Sequence, residues 1–241
     1  MNATISAAQV QRITDELNAW FIVRVQRITA LADEMMGVLR LDDDGRISIG
    51  DATRRRLKGI AVSFLAVDET IDGCGLIFAR SAVGSNNGHL EWWVHEDEAR
   101  FARYSFGVVP GADRYYDYEH HEWFIHSFNE GTPALVGPYI DYLGVESYVL
   151  TLTVPAVLDG VRVGAAGNDI EVADLEAELL PILLREEAPL AVVGRHGNVL
   201  VSNSPELLPG DHIAADAPEF ARVRLEPESA GLHLLYAAGA A

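Results

Sequence analysis

Apolar residues at Val10, Ile13, Leu17, Trp20, Phe21, Ile28, Leu31 and Met35 recur three and four places apart, the spacing of one face of an α-helix. Ser6 followed by Gln9 makes a capping box ahead of them, so the chain is predicted to open with one amphipathic helix of about thirty residues. A stripe that long must be buried, either on a sheet of the same chain or on a second copy of the helix.

Downstream the pattern changes. Asp42, Asp43, Asp44 and Gly45 close a turn, since they lack the alternating ligands and distal Glu of a calcium loop. Residues 51–58 are helical in composition, and short β-like runs follow between 60 and 106. Two strand candidates, 148–156 and 161–167, flank Asp159-Gly160, a strong hairpin signal. Residues 171–185 read as a helix, with Pro181 as a kink or the start of a second piece. After Pro189 the strand pattern restarts, which predicts a second, smaller lobe. The expected division is 1–40 for the long helix, 41–187 for the first, ligand-binding lobe and 188–241 for the second.

A net charge of −18 repels phosphates and anionic headgroups, which argues against nucleic-acid and membrane-surface partners. Cys74 is the only cysteine, so neither an intrachain disulfide nor a cysteine-rich zinc site can form, and it reads as a small buried residue. The first residues lack the pattern of a signal peptide, and no run of about 20 apolar residues exists. The expectation is a soluble protein kept in the cytoplasm, or outside the membrane if the chain is a piece of a receptor.

The chemistry concentrates in residues 115–176. Trp92, Trp93, Tyr104, Tyr116, Tyr118, Trp123, Phe124, Tyr139, Tyr142 and Tyr148 lie in or near this stretch with Asp117, Glu119, Glu122, Asp141 and Asp169, and only Arg114 is positive nearby. Aromatic faces attract cations and a carboxylate binds an ammonium, so this balance points to an amine or quaternary ammonium ligand. Asp169 could instead cap the following helix. His121 and His126 stand five apart, one too many for the paired histidines of a zinc-protease helix, so no metal and no cofactor is expected. Glu122, Asp141 or Asp169 as a general acid or base would make the chain a small enzyme, and a scaffolding subunit is a third reading.

Several ordered elements resemble the double Cache sensor family: the long first helix, Trp123-Phe124, the GPYID run at 137–141, Thr153-Val154-Pro155, the turn and strand at 159–164, the G-x-D element at Gly167 and Asp169, and the SNSP and PGD elements at 202–211. The resemblance implies an α+β fold of two PAS-like (Cache) lobes, antiparallel sheets flanked by helices and braced by the long N-terminal helix. It implies a non-enzymatic sensor whose first lobe holds a small ligand between its sheet and a covering loop near 114–126. Trp123, Phe124, Tyr139 and Asp169 match the family's site motif, with Asp169 at the place that takes a ligand's ammonium. His120 stands where amino-acid-binding members carry the Arg that clamps a carboxylate, which shifts the expectation from amino acids to amines. Glu122, Tyr118, Asp141, Trp93 and His120 complete the expected site. The expected partners are a small amine-like molecule, a second copy through the N-terminal helix, and a separate transcription regulator or transporter.

Overall fold

The computed structural model describes residues 5–97, 100–104, 107–112, 115–140, 148–227 and 230–238. Helix α1 (Ala7–Gly37) begins at the expected capping box: the Gln9 amide donates to Ser6 Oγ (3.3 Å) and the Ser6 amide to Gln9 Oε1 (2.9 Å). It buries Ile13, Leu17, Phe21, Ile28, Leu31 and Met35. The Asp42 turn follows, its carboxylate accepting the amides of Asp44 (3.0 Å) and Arg46 (2.8 Å). Helix α2 (Asp51–Leu65) then leads into a first sheet built from β1 (Gly73–Phe78), β2 (His89–Asp97), β3 (Arg100–Tyr104), β4 (Ala134–Ile140), β5 (Tyr148–Leu158) and β6 (Val161–Glu171). A short helix α3 (Arg80–Val83) follows β1. Between β3 and β4 lie a 3₁₀ turn (Tyr118–His120), a single turn α4 (Glu122–Phe124) and a π-helical turn (Ile125–Glu130).

The strand order is β3-β2-β1-β6-β5-β4, antiparallel throughout. Asp159 and Gly160 join β5 to β6 with φ of 51° and 79°, the left-handed pair that a tight hairpin turn requires. Strand geometry sends alternate residues to opposite faces. Cys74, Leu76, Phe78, Trp93, Leu150, Leu152 and Val154 lie with the stripe of α1 in the main core. Ile77, Leu90, Trp92 and Ala165 join a separate cluster under the 115–130 segment. Cys74 is fully buried, as expected, and burial pushes its thiol pKa upward.

Helix α5 (Val172–Leu183) leads into the second sheet, β7 (Leu190–Val193), β8 (Val199–Ser202), β9 (Phe220–Arg224) and β10 (His233–Ala237), ordered β8-β7-β10-β9. Pro181 lies inside α5 without dividing it; near the C-terminal end it forfeits one intrahelical bond. The N-cap of α5 is Glu171, so Asp169 is not a cap but a residue of β6. Asn203 ties the lobes at this join: its Oδ1 accepts the Leu190 amide (2.7 Å), and the carbonyls of Leu183, Glu186 and Ala188, 3.0 to 3.1 Å from its Nδ2, share its two amide protons. Among the described residues no helix is long and apolar enough to cross a membrane.

Two ion-paired carboxylates, Glu91 and Asp68, set an acid limit. Burial opposes the charge of Glu91, which is 0% exposed, but His89, Arg54 and Arg103 outweigh it and hold its pKa below the ordinary value. Asp68 is likewise depressed, because Thr70, Arg24 and Arg27 outweigh burial. A depressed folded-state pKa contributes stability that is present above the unfolded value and is lost as pH falls through the folded one. Asp174 works in the opposite sense, raised by burial and then by Glu171, Glu178 and Asp68. Urea midpoints are therefore expected to fall steeply from about pH 4.5 downward, and less steeply in Glu91→Gln, which has lost this linkage at the cost of lower stability at pH 7.

Candidate functional site

The face of the first sheet opposite α1 and α2 carries a line of polar groups across three strands. Asp169 on β6 pairs with Thr151 on β5 on one side and with Gly73 on β1 on the other. Thr151 is buried and gives its single hydroxyl proton to Asp169 Oδ1 at 2.5 Å, so the Tyr139 hydroxyl donates in turn to Thr151 Oγ1. The half-buried Asp169 is thereby held in one rotamer. Gly73, having no side chain, lets the Trp92 ring lie over it: a Cβ built there would stand 2.7 Å from Trp92 Nε1. A carboxylate and an indole thus occupy adjoining positions of one face.

The covering segment is held from beneath by its rings. Tyr118 is fully buried; its hydroxyl donates to the Phe78 carbonyl (2.6 Å) and accepts the His89 amide (3.3 Å). Burial pushes its pKa up to about 12, so the phenol stays a donor at any physiological pH. Trp123 and Phe124 are 4% and 1% exposed, and the Trp123 carbonyl accepts from Thr153 Oγ1 at 2.9 Å. Outward from them the rings stack, Trp123 on His121 (centroids 6.3 Å apart) and His121 on Tyr116 (4.4 Å). Arg80 pins the start of the segment through Asp117, the Tyr115 hydroxyl (2.5 Å) and Glu119 (3.6 Å). Burial opposes the Arg80 charge, but Asp117 and Glu119 prevail and raise its pKa.

The expected site residues are distributed as follows. Tyr139 and Asp169 are brought together through Thr151. Tyr118, Trp123 and Phe124 form the packed underside of the cover. Glu122 turns toward the second lobe, where both its oxygens lie 3.0 Å from His196 Nε2. His120 is exposed and pairs with Asp117 at 2.8 Å. Trp93 lies on the opposite face, in the core with α1 and beside α2, and its neighbour Trp92 takes the covered face. Asp141, like Arg114 and Tyr142, lies outside the described residues. His126 has both nitrogens engaged, accepting from Arg195 at Nε2 and donating from Nδ1 to Glu130 (2.6 Å). Among the described residues no group of three His, Cys, Asp or Glu is placed to hold a metal ion. Sequence reasoning missed Thr151 and Arg80. The alternation of Leu150, Thr151, Leu152 and Thr153 is the signal that sets the threonines on the covered face.

Solved structures of chemotaxis proteins and chemoreceptor ligand-binding domains superimpose on 95% to 97% of the chain. The methyl-accepting chemotaxis protein X matches over 95% of this chain and 96% of its own, with a TM-score of 0.62 and 16% identity. The ligand-binding domain of the Pseudomonas aeruginosa PAO1 amino acid chemoreceptor PctC, in complex with GABA, matches over 95% of both chains (TM-score 0.56, 16% identity). The ligand-binding domain of Campylobacter jejuni chemoreceptor Tlp3, in complex with L-valine, matches over 97% of this chain and 90% of its own (TM-score 0.62, 11% identity). No protein-family model and no curated protein matches the chain. The fold is the double Cache fold of these sensor domains, with two antiparallel sheets and the long N-terminal helix.

Proposed function

We propose that the chain is a small-molecule sensor that binds an amine or quaternary ammonium metabolite on the covered face of its first sheet and acts without chemical turnover. The observation that carries this reading is the Tyr139, Thr151 and Asp169 relay, which orients one carboxylate on an aromatic face. Asp169 supplies a charge-assisted hydrogen bond to a protonated amine, or an ion pair to a quaternary nitrogen, and Trp92 beside it supplies a cation-attracting face. GABA and L-valine, the ligands of two structural relatives, both carry an amine, which supports the same chemistry here.

The ligand's arrival orders the cover around Arg80 and Tyr115. The change passes to α1, and from there to a separate transcription regulator or transporter. Ile22 and Val23 on the outer face of α1 are 39% and 52% exposed, which supports pairing of two copies along that helix.

A thermal-shift screen tests the ligand class. A ligand at a hundred times its Kd adds about 2.7 kcal/mol, a rise of about 5 to 10 °C for a chain of this size. GABA, putrescine, choline and glycine betaine are the amine arm; butyrate and succinate are the carboxylate arm. Shifts confined to amines are expected. Shifts confined to carboxylates would refute the charge assignment.

A further inference from the structure

We propose a second binding site on the helix-covered face of the first sheet, for a small anion bearing two or more charges on phosphate or carboxylate groups. A cavity of about 270 Å³ lies there between α2 and the β2–β3 edge, lined by Asp51, Arg54, Arg55, Lys58, Trp93 and Arg103. In a chain of net charge −18 it gathers four of the 18 basic residues, and Lys58 is the only lysine of the sequence.

The cations are organised from below. Glu91, fully buried, accepts Arg54 Nε at 3.0 and 3.2 Å and Arg103 Nη2 at 3.1 Å, and Arg103 also donates to the Leu90 carbonyl at 2.9 Å. Each guanidinium has five N–H donors, so Arg54 and Arg103 are held in place while keeping donors to offer. Arg54 Nη1 stands 3.5 Å from Asp51, whose side chain is 88% exposed. Arg55 and Lys58 are exposed and form no ion pair among the described residues. Four cations against the carboxylates of Asp51 and Glu91 leave two positive charges, which a dianion neutralises. The buried Trp93 closes the floor, and a volume below the usual range of drug-sized pockets restricts the ligand to a small anion. An anion seated there would join α2 to the strand edge on the face away from Asp169.

Calorimetric titration of the whole chain with inorganic phosphate, pyrophosphate and citrate, at ionic strength fixed with sodium chloride, tests the site. One-to-one binding of at least one anion is expected. Arg55→Ala and Lys58→Ala should each weaken it about tenfold or more, and Arg55→Lys should restore most of it; one charge-assisted contact has that magnitude. Both side chains are exposed, so the variants should keep the wild-type circular dichroism spectrum. Acetylation of Lys58, followed by peptide mass, should slow when the anion is bound. Asp169→Asn should leave anion binding unchanged, which separates this site from the amine site. Absence of binding by all three anions at about 10 mM, equal binding by the Arg55→Ala, Lys58→Ala double variant, or acetylation of Lys58 indifferent to the anion would overturn the proposal.

Discussion

Asp169→Asn is expected to weaken amine binding about a hundredfold or more while leaving the melting temperature within about 2 °C of wild type. Truncating one partner of a desolvated charge-assisted bond costs about 2 to 5 kcal/mol of binding, and Asn removes the charge while keeping the shape. The fold should survive because the Asn oxygen still accepts the Thr151 proton now given at 2.5 Å, and because Asp169 is not the cap of α5. Thr151→Val should weaken binding about tenfold by releasing the carboxylate from its fixed rotamer, at a stability cost of about 1 kcal/mol. Titration calorimetry alongside thermal melts separates the two effects. A structural role for Asp169 would lower the melting temperature and spare the affinity.

Arg24→Ala is expected to be the most damaging single change to stability, at about 3 kcal/mol, or a fall of about 6 to 12 °C in melting temperature. Arg24 is 7% exposed and lies in the middle of α1. It donates to Asp68 Oδ2 (2.6 Å), Thr70 Oγ1 (3.1 Å) and Glu178 Oε1 (2.5 Å), and its guanidinium sits 4.9 Å from the Trp20 ring centroid. Trp20 Nε1 donates to the other Glu178 oxygen at 2.5 Å. One cation thereby binds α1 to the loop before β1 and to α5. Its loss leaves two acids short of a partner in a poorly hydrated setting, although Arg27 still reaches Asp68 at 2.5 Å. Arg24→Lys should recover part of the loss, since a lysine reaches one carboxylate but cannot span both with a planar fork. Urea unfolding at pH 7 provides the measurement.

Local signals made much of the fold legible. The Ser6 and Gln9 box marks where α1 starts, its apolar spacing gives the buried stripe, and Asp159-Gly160 specifies the β5–β6 hairpin, because each depends on residues a few places apart. The two-lobed α+β architecture also emerged, carried by motifs spread along the chain and matched by the solved domains.

The site was harder to read. Trp92 and Trp93 are adjacent and both apolar, so alternation alone does not say which faces the cover. The answer depends on Glu91, a buried acid sharing the Trp93 face, held by Arg54 from a helix 37 positions earlier. The Trp123-Phe124 pair looks like a ligand wall in sequence, yet its burial comes from Ile77, Leu90 and Ala165 on distant strands. Glu122 and His120 belong to the expected ligand site by sequence, whereas the fold pairs Glu122 with His196 of the second lobe and His120 with Asp117. Long-range pairing decided each of these, and composition carries no record of it.

Hydrogen exchange, measured with and without the amine that binds most tightly, tests the central claim most directly. Binding on the covered face of the first sheet predicts slowed exchange in residues 115–130 and in the β5 and β6 amides around Thr151 and Asp169, with residues 190–237 unchanged. Protection confined to the second sheet, or exchange unaltered under saturating amine, would contradict it.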